Sequence, residues 1–180
     1  MCIKYVSVIL ILCFFQFGCL KAQGNKVMEN SNSTIKKSFG TFILPDDWIE
    51  ATGQSRNGKF FYVYRKSNNN PPTNISIEAG TNRYNLDEMQ TFSQAIMRQL
   101  VMQTGGKAAI NAGGTFTEQG YPLIYFIIED IDTPDQKTIQ YYIVGEKKYI
   151  LLHLTDFHDV KVTNAEEVVV SIANSFIWAE

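Results

Sequence analysis

Three runs rich in aromatic and β-branched residues, "LIYFIIED" from Leu123, "KTIQYYIV" from Lys137 and "KKYILLHLT" from Lys147, follow one another closely and constrain the rest of the chain. The first is continuously apolar, the pattern of a central strand covered on both faces. The second and third are separated only by Gly145-Glu146, close to the two-residue hairpin signature, and should pair antiparallel. A sheet of this kind needs a layer on each side.

The upstream sequence supplies more strands and one of those layers. "FGTFIL" ends at Pro45, which has no backbone donor, and "PDDW" is a turn that returns Trp48 to the core. "KFFYVYRK" is β by its aromatic and branched content, "SNNNPP" is a surface loop, and "NISIEAG" alternates Ile75 and Ile77 against Ser76 and Glu78. Leu86, Met89, Phe92, Ile96, Met97, Leu100 and Val101 then recur at helical spacing, behind an Asn85/Glu88 capping box and before Gly105. "TFTEQ", between Gly113-Gly114 and Gly120, is a short strand and turn. A second capping box, Thr163 with Glu166, precedes a helix carrying Val168, Val169, Ile172, Ala173 and Phe176. The order is β-β-β-α-β-β-β-β-α: an α+β domain with a mostly antiparallel sheet of about six or seven strands covered by helices.

The N-terminus gives an address. Lys4, the apolar run "VSVILILCFFQF" and Gly18 read over residues 1–22 as an export signal, the run being shorter than the roughly 20 residues that span a bilayer. "QFGC" resembles the bacterial lipoprotein box, which would make Cys19 a lipid anchor; cleavage after Ala22 would instead release a soluble secreted protein. Residues 23–38 are polar and aperiodic, a flexible tether, and 39–180 form a single domain. The expected location is extracytoplasmic, in the periplasm or at the outer membrane. All three cysteines, Cys2, Cys13 and Cys19, precede the body, so it can hold neither a disulfide framework nor a cysteine zinc site. A net charge of −2 with scattered lysines gives no basic stripe for nucleic acid.

Chemistry-bearing residues are few. "HLTDFHD" places His153, Asp156, His158 and Asp159 together; imidazole and carboxylate suit a divalent metal, but the spacing fits no established motif, and the alternative is a packed His153 beside a solvated loop. "TGGKAAINAGG" lacks phosphate-loop spacing and follows a helix, so it is a loop. The acidic run Glu129, Asp130, Asp132 and Asp135 lacks the calcium-loop glycine. No nucleophile elbow, metalloprotease helix or cofactor motif is present. The aromatics in "FFYVYR" and "IQYYIV" are the better lead: alternation sends Tyr62, Tyr64, Tyr141 and Tyr142 to different faces, where they anchor a protein partner if no helix covers them.

"FILPDDW" and the closing "SIANSF", with the element order between them, resemble the PsbP-like and DcrB-like family of small extracytoplasmic α/β proteins over roughly residues 39–178. The resemblance implies an αβα sandwich used mostly for binding, whose members serve as photosynthetic accessory subunits, as a partner of a nuclear-transport GTPase, as envelope lipoproteins and as immunity proteins. It transfers no catalytic residue. The expectation is a non-enzymatic binding or accessory lipoprotein with a protein partner in the envelope and no cofactor, an immunity protein against a secreted toxin being its most concrete form. The competing expectation is a divalent-metal protein or metal-assisted hydrolase using His153, Asp156 and His158.

Overall fold

Residues alternating between two apolar faces can be stable only between two layers, and the chain builds both. A computed structural model describes residues 32–158 and 164–180. Its main sheet has seven antiparallel strands in the order β3-β4-β5-β9-β8-β7-β6. In chain order these are β3 (Trp48–Glu50), β4 (Lys59–Tyr64), β5 (Asn74–Thr81), β6 (Ala108–Phe116), β7 (Pro122–Asp130), β8 (Lys137–Gly145) and β9 (Lys148–Asp156). The three runs that opened the sequence reading are its centre. β8 and β9 turn on Glu146-Lys147, with Lys147 at φ 54° in the left-handed region that such tight hairpins require.

One face is covered by α1 (Met89–Gln103), entered through a 3-10 turn at Leu86–Glu88. The Asn85 backbone N–H donates to Glu88 Oε2 at 2.9 Å, as its capping box requires. The opposite face is covered by α2 (Ala165–Ser175) together with a second, three-stranded sheet of β1 (Asn32–Lys37), β2 (Gly40–Pro45) and β10 (Ile177–Trp178). The α+β class and antiparallel sheet follow the expectation; the second sheet is additional to it. The Thr163 half of the second capping box lies outside the described residues, and the first turn of α2 carries Glu166 and Glu167, which favour a helix N-terminus.

Two segments differ from the sequence reading. The tether expected over 23–38 gives way by Asn32, because Asn32–Lys37 pair with β2 along its whole length, Asn32 opposite Pro45 and Lys37 opposite Gly40. The strand is fixed by tertiary pairing that its polar sequence does not announce. β6 likewise runs through the glycine-rich stretch read as a loop, in register with β7 from Ala108–Asp130 to Phe116–Pro122. Its side chains are too small for an alternating pattern to appear. Gly113 is needed there: a Cβ would enter the ring of Tyr125, its partner across the strands.

The sheet separates two cores. Phe42, Tyr62, Ile75, Ile77, Ile139, Ile150, Leu152, Leu154, Ile172 and Phe176 join on the α2 side, and Trp48 is buried with them. Phe92, Leu100, Ile124, Phe126, Tyr142 and Val144 join on the α1 side.

Candidate partner-binding surfaces

Both layers find their packing surface in the strand aromatics, which changes the roles of the tyrosines. Tyr62 is 1% exposed and meets Phe42 edge-on at 5.9 Å, and Tyr141 and Tyr142 are also buried. Tyr142 sits under α1, edge-on to Phe92 at 5.7 Å, with its hydroxyl donating to Gln140 Oε1 at 2.8 Å. Tyr141 faces α2 and donates to Glu166 Oε1 at 3.3 Å. Burial raises the hydroxyl pKa of all three, with Glu50 adding for Tyr62, Glu166 for Tyr141 and Tyr149 for Tyr142. Tyr64 is half-buried against Trp48, ring centroids 6.1 Å apart. These rings stabilise the domain, and Tyr62, Tyr141 and Tyr142 offer no surface to a partner.

Strand geometry also separates the proposed metal ligands. His153 and Asp156 are three apart on β9, so their side chains leave opposite faces of the sheet. Asp156 accepts from Thr73 Oγ1 at 3.0 Å. His153 lies in a transverse polar row on the α1 face, between Ser76 on β5 and Gln140 on β8, with its Nδ1 3.5 Å from Gln140 Nε2. Burial, helped by the charge of Lys59 and opposed by Glu78, lowers its pKa to about 4, so the ring is neutral. His158 is exposed beyond the strand at φ 52°. Among the described residues no three His, Cys, Asp or Glu side chains come together as a metal site. Asp159 is outside them.

A concavity suited to binding lies elsewhere. A groove of about 1000 Å³ runs along the outward side of α2, bounded by β2, the β6–β7 turn and the ends of β8 and β9. Its apolar wall is Ile43, Val170 and Ile177, and Ile43 and Ile177 are exposed despite their size. Around it stand Glu118, Asp156, Glu166 and Glu167, with Lys137 the cation among the described lining residues, held by Glu166 at 2.9 Å. The walls are tied together: the Ile43 N–H donates to Ser175 Oγ at 3.0 Å, and the Glu118 N–H to Asn174 Oδ1 at 3.3 Å. The arrangement is a fixed apolar strip with an acidic rim, suited to a cationic, partly apolar segment. Sequence reasoning missed it because its lining comes from six separate elements, β2, the β6–β7 turn, β8, β9, α2 and β10. The available signal was the polar stripe Glu167, Ser171 and Asn174 interrupted by Val170.

No family model matches the chain, and no curated protein matches it in sequence. Solved structures do match in fold. The cyanobacterial PsbP protein (CyanoP) of Synechocystis superposes with a TM-score of 0.54 at 16% identity, over 90% of this chain and 100% of that one. The Ran-binding protein Mog1p of Saccharomyces cerevisiae gives 0.54 at 13% identity, over 82% of this chain and 95% of that one. The fold is therefore that shared by PsbP and Mog1. Identities this low speak for the architecture alone. Among the described residues no helix is long and apolar enough to cross a membrane.

Proposed function

We propose that the protein is a non-enzymatic binding or accessory protein that takes a basic segment of a protein partner into the groove beside α2. The observation that carries this reading is the apolar strip of exposed Ile43 and Ile177 with half-buried Val170 inside an acidic rim, on walls fixed by hydrogen bonds. The Ran-binding protein Mog1p supports it as an example of this architecture in a protein that binds another. A photo-crosslinker placed at Ile177 is expected to capture a discrete partner in cells, with capture suppressed by Glu118→Lys plus Glu167→Lys. The same products from a crosslinker at exposed Met102 would sink the proposal.

Its most concrete form is an envelope immunity protein of the DcrB-like kind, tethered through Cys19 outside the cytoplasm. The motivation is the export signal with its partial lipoprotein box. Mass spectrometry of the mature N-terminus decides the tether: a diacylated Cys19 supports it, and a chain beginning at unmodified Gln23 removes it. For immunity, cells exporting a toxin encoded beside this gene should be rescued by the chain but not by the Glu118/Glu167 double variant. Equal rescue by both would refute the groove's part in it.

A further inference from the structure

Among the described residues ten strands leave four sheet edges, and three of them are blunted. β3 has three residues and ends in Glu50, β10 has two, and β1 carries Lys36 and Lys37. Short strands and edge lysines are standard obstacles to strand addition. The fourth edge, β6, has nine residues, "AAINAGGTF", without a charge or a proline, and pairs with β7 in unbroken register. Its other side has no strand or backbone partner among the described residues. Alanines and glycines leave nothing in the way of an approaching backbone. Such an edge offers a row of N–H and C=O groups that face solvent and that another extended chain can pair.

We infer that β6 pairs antiparallel with β6 of a second copy of this chain, joining two seven-stranded sheets into one continuous sheet about a two-fold axis near Ala112. The ends of the strand select this occupant. Pairing over the whole length sets Ala112 opposite itself and brings Phe116 of one copy to Ala108 of the other. Phe116 is 68% exposed, and Ala108 lies just past the turn in which the Gly106 N–H bonds the Val101 carbonyl. Val101 and Met102, 45% and 75% exposed, close α1 there, so an exposed apolar side chain at one end of the edge meets exposed apolar side chains at the other, twice. Charge agrees: Lys107, which also reaches Asp132 of its own chain at 2.8 Å in an exposed pair, precedes the strand, Glu118 follows it, and the two-fold sets each beside the other copy's opposite charge. A parallel partner would put like charges together instead.

Sedimentation velocity of the full-length chain, from low to high micromolar concentration, should show a dimer that dissociates on dilution. Ala112→Lys sets two like charges directly opposite each other and should weaken the dimer roughly tenfold or more, with circular dichroism confirming an unchanged fold. Glu118→Lys should weaken it less, and Lys107→Glu added to Glu118→Lys should restore it. Hydrogen exchange of the unsubstituted chain gives a test that needs no variant: amides of Ala108–Phe116 should gain protection as concentration rises. A chain that is monomeric throughout, a dimer indifferent to Ala112→Lys, or β6 amides protected only by a different protein would each overturn the inference.

Discussion

The two faces of the seven-stranded sheet are built to different standards. On the α2 side, eleven helical residues bury Ala165, Val168, Val169, Ile172 and Ala173, the helix's C-cap adds Phe176, and the second sheet adds Phe42 and Leu44 to the same cluster. On the α1 side, fifteen helical residues bury only Phe92 and Leu100, and the sheet beyond carries the polar row Ser76, His153 and Gln140. A longer helix with a complete apolar stripe thus contributes less core than a shorter one. What differs is company: α2 is flanked by a sheet that closes the layer, and α1 lies on its face without one.

That contrast can be broken at single residues. Ile172→Ala on the closed side should cost about 2–5 kcal/mol, and Ile96→Ala, half-buried on α1, about 1 kcal/mol, both read from denaturant unfolding. Equal losses would erase the distinction between the faces. The next effect is of pH. His153 has its pKa lowered from 6.5 to about 4, so the unfolded chain takes up the proton more readily, and the folded state loses stability as pH falls from about 6.5 toward about 4. The full loss is roughly 3 kcal/mol and is absent above that window. Lys59 and Glu78, paired across β4 and β5, act on the ring in opposite senses, Lys59 lowering its pKa and Glu78 raising it. His153→Gln should flatten the difference curve, and an unchanged curve would place the acid sensitivity elsewhere.

Exchange rates sharpen the comparison without mutation: amides in the middle of α1 should open at lower free energy than those of α2, by about 1–2 kcal/mol. The smallest effect concerns β1. Lys37 Nζ lies 2.7 Å from Glu50 Oε2 and 3.9 Å over the Phe60 ring, on a side chain only 14% exposed. Lys37→Ala should cost about 1 kcal/mol if β1 belongs to the folded body, and nothing if it is tether.

Much of the fold was legible because its signals are local. The β8–β9 hairpin follows from two apolar runs and a two-residue gap, α1 from a stripe with a capping box, and Trp48 from a turn that brings it inward. β6 and β1 were not legible, since one is built of alanine and glycine and the other of polar residues. Their strand character is conferred by the neighbour they pair with. The candidate sites fared the same way. Alternation correctly divided the tyrosines between faces, but only the packed layers could show that Tyr62, Tyr141 and Tyr142 are covered. The His153–Asp156 spacing looked convergent in one dimension and is divergent on a strand.

The sequence by itself therefore determined the class, the antiparallel centre and both helices, all written in periodicity and local composition. Tertiary structure alone decided the second sheet, the groove beside α2 and the bare edge at β6. Each of these is a property of residues distant in the chain and adjacent in space. No local pattern encodes them, because pairing and burial depend on what the rest of the molecule brings alongside.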